Sequence, residues 1–296
     1  MLDDMRFGKV EARGSKLLLF FAIYMVVARV IILPFLLTGM NITSNAVASM
    51  ILQVLTMGIP TLAYFVVTKK SPWAVLPIKP LDFKTAVRVI IIAIATVSVV
   101  FFIWHVPHLF TNVQPSDNIS RLDSMWMHLI AAVLFAGILE EVWFRGVVYH
   151  EYRSERVSIR RTAIASGLIF GLMHFDVVQS VYATVLGVLM AYLIYYTRSI
   201  WAPILWHVVV NALGILANPV FYVRDYTHLL DIAPTAAIVA GVASLVFVPI
   251  GVVCFKGIKD SSPREEETPS HELRVFTFGY VVMVVVLMVL HFIRFF

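Results

Sequence analysis

One cysteine, Cys254, is all that the 296 residues contain, so no disulfide and no thiolate metal site can form within one chain. Charge is scarce too: 14% of residues are Asp, Glu, Lys or Arg, against roughly 25% in soluble domains. No polar stretch is long enough for a soluble domain, and the apolar runs lack the alternation of a membrane β-barrel. The sequence has no HExxH, whose histidines four apart would offer two zinc ligands on one helical face. No aspartate lies deep in an apolar run, and Ser166-Gly167 lacks the flanking pattern of a membrane serine nucleophile. Internal repeats and low-complexity tracts are absent as well.

What fills the chain is hydrocarbon: 60% of residues are hydrophobic and the mean hydropathy is +0.88. The apolar residues fall into runs of about 16 to 25, enough or nearly enough to cross a core of about 30 Å as helices. The expected class is all-α: a polytopic transmembrane bundle of eight or nine spans, at about 16–39, 46–68, 85–106, 125–149, 162–175, 178–197, 200–217, 233–255 and 275–296. Residues 1–296 read as a single integral membrane domain. The fifth span is short, which predicts a helix that is tilted, broken or buried among the others. Pro34, Pro60, Pro203 and Pro249 fall within spans and should kink them.

The net charge of +5 points to topology and not to nucleic acid, because the basic residues alternate between loops. One set of segments carries Arg6, Lys9, Arg13 and Lys16, then Lys69, Lys70, Lys79 and Lys84, then Arg153, Arg156, Arg160 and Arg161, then Arg198, then Lys256, Lys259 and Arg264. The opposite set holds only Arg121 and Arg224. This asymmetry predicts a multi-pass protein of the cell membrane with a cytoplasmic N-terminus. A solvated cytoplasmic linker is expected at about 256–273. The first run is too long for a signal-peptide core and lacks a small-residue cleavage pattern, so it reads as a retained helix. Trp73, Trp126 and Trp201 sit near span ends as an aromatic belt. Arg29 reads as paired or snorkelling, and His291 and Arg294 as interfacial. Asn41 and Asn118 open glycosylation sequons in the opposite set of loops.

Chemistry enters with Glu140 and Glu141, the two of the 18 acidic residues that lie well within a hydrophobic span. Each costs roughly 2.5–3.5 kcal/mol at a helix centre on insertion scales, so the pair needs a compensating role. Arg145 lies four residues beyond Glu141, on the same face and at pairing distance. Taken alone, that pair reads equally as a structural ion pair. It leaves Glu140 unexplained, because adjacent helical residues point about 100° apart. His174 closes the fifth span, where a lone histidine is more often a hydrogen-bonded packing residue than a catalyst. His207 and Asn211, also four apart, share one face of the seventh span, and each alone could tie helices together. Taken jointly, three spans contribute carboxylate, imidazole and amide groups that can deprotonate a water and hold an oxyanion.

Glu140-Glu-Val-Trp-Phe-Arg145, Phe170-Gly-Leu-Met-His174 and His207-Val-Val-Val-Asn211 resemble the three motifs EExxxR, FxxxH and HxxxN of the CPBP family, also called the ABI family. That family contains type II CAAX prenyl proteases and bacteriocin-processing membrane proteases. Residues 187–214 are similar to the stretch that leads into the third motif, and the likeness covers a core of about 125–217. The resemblance implies an intramembrane glutamate endopeptidase acting on a membrane-associated peptide or protein. Glu140 would be the general base with His174 assisting, His207 and Asn211 would donate to the oxyanion, and Glu141 with Arg145 would brace the site. No cofactor is implied.

Three other readings fit parts of the pattern. Zinc could be held by Glu140, Glu141, His174 and His207, giving a metal-dependent membrane protease. A proton-coupled transporter also uses intramembrane carboxylates and histidines, although inverted repeats would accompany them. A non-proteolytic membrane scaffold or regulator could keep the fold without the reaction. Which of the two glutamates is the base is not assigned by their order in the chain.

Overall fold

Hydrocarbon offers no hydrogen-bond partners, so an apolar chain in a bilayer pairs its own backbone groups within helices. A computed structural model describes residues 10–37, 46–105, 125–174, 177–216, 226–263 and 273–277, with parts of 280–288. Nearly all of it is helix, and the protein is an all-α membrane bundle. Arg121, Arg224, Arg264, Asn41, Asn118, His291, Arg294 and the side chains of Arg29 and Pro34 lie outside the described residues.

The helices are α1 (Arg13–Leu37), α2 (Ala46–Thr68), the short α3 (Pro72–Val75), α4 (Phe83–His105), α5 (125–154), α6 (Ile159–Leu172), α7 (Val177–Thr197), α8 (Trp201–Leu216) and α9 (Tyr226–Ser261). Two-residue strands, β1 (Val10–Glu11) and β2 (Leu273–Arg274), pair in parallel and join the segment before α1 to the one after α9. Among the described residues five helices are long and apolar enough to cross a membrane, and Trp201–Leu216 is a shorter apolar one. Trp73, Trp126 and Trp201 are exposed at or near element ends.

Helix α6 has 14 residues, about 21 Å at 1.5 Å per residue, too short for the hydrocarbon core. It is accommodated by burial: ten of its residues, from Ile159 to Leu172, are inside the bundle. Small residues let it sit there. A Cβ on Gly187 of α7 would stand 2.8 Å from the Gly167 Cα, and one on Gly171 would stand 2.0 Å from Thr184 Oγ1 and 2.5 Å from the Ser180 carbonyl. This is the close backbone approach that small residues four apart permit between membrane helices.

Two helices, α2 and α5, depart from α geometry. In α2 the stretch Val54–Gly58 is a π-helix, and the Ile59 N–H bonds the Val54 carbonyl five residues back. Pro60 has no N–H for the next carbonyl in that register, Leu55, and Tyr24 Oη of α1 donates to it instead at 2.6 Å. In α5 two π stretches, Ile130–Ala136 and Val142–Val148, flank the α-helical Gly137–Glu141.

The far end of α5 is a clamp. Glu151 is buried and accepts from Tyr64 Oη and Lys70 Nζ, while Arg13 Nε lies 3.2 Å away. Glu155 accepts from the Arg13 backbone N–H at 2.7 Å, and Ser15 Oγ donates to the Val275 carbonyl at 2.7 Å. These bonds fix α1 and α2 against α5, so the positions of α2 and α5 deeper in the membrane are set together. On the same side, Asp82 caps α4 by accepting from the Thr85 hydroxyl and N–H, which hold its carboxyl below the usual carboxylate range.

At Gly171 the clash of an added Cβ includes backbone atoms of α7, which cannot swing aside. Gly171→Ala is expected to lower stability by about 1–3 kcal/mol, read as a fall in unfolding temperature in detergent. Gly214→Ala, with nothing within 4 Å of the added carbon, should leave it unchanged or slightly raised.

Candidate active site

The regular stretch of α5 between its two π segments carries both glutamates, and they point to different places. Glu141 is 0% exposed and Glu140 7%. Glu141 Oε1 accepts from Arg145 Nη1 at 2.9 Å and lies 2.8 Å from His207 Nδ1 of α8. Arg145 is itself buried; its Nη2 donates to the Gly187 carbonyl of α7 at 3.1 Å, and its guanidinium carbon stands 4.4 Å from the centre of the Phe170 ring. One carboxylate thus joins three helices. The Arg145 pairing follows the spacing of four; the His207 contact does not, because it crosses from one helix to another.

Glu140 faces a cavity of about 500 Å³. His174, His207 and Asn211 line that cavity with it, as do Phe170, Tyr182 and Trp206. Four of the six residues singled out in the sequence therefore share one space, drawn from three segments of the chain. Glu141 and Arg145 stand behind the wall. His174 follows the end of α6 in a turn, and it reaches the cavity because that helix is inset.

Hydrogen bonds fix what each ring and amide can still do. His174 Nδ1 lies 2.8 Å from the Phe170 carbonyl; a carbonyl only accepts, so Nδ1 holds the proton and Nε2 of the neutral ring is a free acceptor. His207 Nδ1 faces a carboxylate, so its Nε2 donates only when the ring carries both protons, with Glu141 as counter-charge. Asn211 Nδ2 donates one hydrogen to the Ala132 carbonyl at 2.8 Å, which leaves its second N–H. Ala132 lies in the first π stretch of α5. Phe170 packs edge-on to both imidazoles, with centroids 5.1 Å from His174 and 6.0 Å from His207.

Sequence reasoning missed Gln53. Its Nε2 donates to Glu140 Oε1 at 3.1 Å from α2, and it lines the same cavity. Its Oε1 is buried without a partner, a cost of about 1–3 kcal/mol that an apolar side chain would not carry. The available signal was a lone amide in the apolar run Met50-Ile-Leu-Gln53-Val-Leu55. Among the described residues no group of three or more His, Cys, Asp and Glu side chains stands close enough to hold a metal ion.

Because Arg145 and Glu141 are both buried, removing the cation strands a charge in low dielectric. Arg145→Ala is expected to cost about 3–5 kcal/mol and to abolish stable folded protein or lower its unfolding temperature sharply in detergent. Arg145→Lys should fall between, since lysine cannot reach the Gly187 carbonyl and Glu141 with a planar fork.

Comparison with known proteins adds an independent line. The family model described as "Type II CAAX prenyl endopeptidase Rce1-like" matches residues 122–213, the stretch that carries all three motifs. A protein of Bacillus subtilis (strain 168) named "Putative membrane peptidase YdiL" is 24% identical over 119 residues, covering 40% of this chain and 48% of that protein. The chain thus aligns with about half the length of that curated relative. No solved structure matches. The match over 122–213 falls on residues that the fold gathers around one cavity, so this part of the chain is similar to the type II CAAX prenyl endopeptidases.

Proposed function

We propose that the protein is an intramembrane glutamate endopeptidase that hydrolyses a peptide bond in a membrane-associated peptide or protein. The observation that supports this reading best is the shared cavity, where a carboxylate, two imidazoles and an amide from three segments converge in an apolar surrounding. Glu140 is the general base: it takes a proton from a water whose oxygen then attacks the scissile carbonyl carbon. The carbonyl π electrons move to oxygen, and that oxyanion accepts from the second N–H of Asn211 and from doubly protonated His207. Collapse expels the amine, which takes a proton from Glu140, and His174 Nε2 assists by relaying a proton in the same cavity.

Glu141 and Arg145 act through others in this scheme. Their ion pair orients His207 by its Nδ1, as a carboxylate orients a catalytic imidazole in hydrolases generally. Gln53 has the matching task for Glu140, holding one carboxylate oxygen so that the other faces the water. The basic loops are taken to be cytoplasmic, with the N-terminus on that side.

Candidate peptides incubated with purified wild type and Glu140→Gln, and read by mass spectrometry, test the assignment. Turnover is expected to fall by at least about two orders of magnitude; wild-type turnover in the variant overturns the reading. Metal content and chelator sensitivity of the same preparation identify the zinc-dependent reading, which needs stoichiometric zinc and loss of activity on chelation. A phenotype that survives Glu140→Ala would instead favour the scaffold.

Gln53→Leu removes the amide while keeping the volume. It should lower kcat by about tenfold with KM little changed, as expected when a lost contact serves the reacting group and not ground-state binding. Steady-state kinetics on the same substrate checks it.

A further inference from the structure

A second concavity, about 860 Å³, runs between α4, α7 and α9. Its size is within the range of ligand sites, about 300–1,000 Å³. Its walls are apolar along their length: Ile92, Val99 and Ile103 from α4, Val185 and Leu189 from α7, Val252 from α9. One end differs. There Lys256 and Lys259 join the lining, and both are exposed. No ion pair ties either lysine to another group among the described residues.

The lysines are not incidental neighbours of the groove. On α9 the lining residues Val248, Gly251, Val252, Phe255, Lys256 and Lys259 recur at alternating intervals of three and one, a single helical stripe that changes from apolar to cationic at its end. Arg88 adds a third cation at that level, donating from Nη1 to the Gly257 carbonyl at 2.8 Å. Asp260 is next to Lys259 in sequence, but adjacent helical residues point about 100° apart, and it does not line the groove. From Val248 to Lys259 the stripe covers about 16 Å of helix, close to half of a hydrocarbon core of about 30 Å. The groove therefore has the depth of one leaflet, with its cations at the level of the headgroups.

From this geometry we propose that the groove is a binding site for an anionic phospholipid. An acyl chain lies between α4, α7 and α9, and the phosphate faces Lys256 and Lys259. A zwitterionic lipid fills the hydrocarbon part equally well, so the lysines are what select the anionic headgroup. The bound chain lies against the wall of the candidate active site, because Val100, Tyr182 and Leu186 line both spaces. The proposal does not depend on the proteolytic reading.

Purified full-length protein reconstituted with equimolar phosphatidylglycerol and phosphatidylcholine of identical chains, then examined by native mass spectrometry, tests it. Wild type should retain phosphatidylglycerol in preference to phosphatidylcholine. Lys256→Gln with Lys259→Gln should reduce that preference by about tenfold or more. Val185→Trp, which keeps both lysines and fills the groove from an exposed position, should lower retention of both lipids. Equal retention of the two lipids by wild type overturns the proposal, as does an unchanged preference in the double variant. Should the double variant not fold, each single lysine change carries the same test.

Discussion

Glu141 is the residue on which the site depends. A carboxylate with no exposed surface would be intolerable in a bilayer unless its charge were met, and here one oxygen takes donors from its own helix and from α8. Arg145 extends the tie to α7 through the Gly187 carbonyl. A Cβ on residue 187 would meet Gly167 and Phe170, so α7 lies this close to α6, with its Gly187 carbonyl facing Arg145, because Gly187, Gly167 and Gly171 lack side chains. Close helix packing and charge compensation are thus linked: loosening the glycine contact moves the carbonyl that holds Arg145 beside Glu141.

The neighbouring carboxylate is served differently. Successive residues on a helix diverge by about 100°, so the partner set that buries Glu141 cannot also satisfy Glu140, and the chain uses this divergence. Glu140 turns to the cavity and receives a neutral donor, Gln53, from α2. A neutral amide orients a carboxylate without cancelling its charge, whereas a second arginine would do both. Two chemically identical side chains in sequence thus acquire different surroundings, one locked into an ion pair and one left accessible to a ligand.

The apolar runs made the helices legible, and the end points agree to within a few residues where charge is absent. They fail where charge is present. The apolar pattern of α5 stops near residue 149, yet the helix continues to Ser154, because Glu151 is neutralised by Lys70 and Arg13 and so remains compatible with burial. Likewise α9 runs to Ser261, past the apolar limit at 255 and into the stretch read as linker, since its polar last turns lie at the lysine-bearing end. The expectation of an inset fifth helix came from length alone and agrees with the burial of α6. Intrahelical relations such as Glu141 with Arg145 follow from spacing. Contacts across helices do not, which is why the Glu141–His207 bond was not foreseen and Gln53 went unnoticed: a single amide has no periodicity. The π segments around the glutamates likewise have no residue signature of their own.

Helix α7 shows how one element separates the Glu140 cavity from the apolar groove. Ser180, Thr184, Gly187 and Val188 form the stripe that meets α6. Gln179, Ala183 and Met190 face the cavity that holds Glu140, and Val181, Val185 and Leu189 face the apolar groove. Tyr182 and Leu186 lie between the last two stripes and belong to both walls. A helix has room for three such faces only if each is narrow, and small residues make the first one narrow enough. The separation of a polar cavity from the hydrocarbon is therefore about one side chain thick. The α6–α7 contact through small residues leaves the bulkier Tyr182 and Leu186 to form this partition.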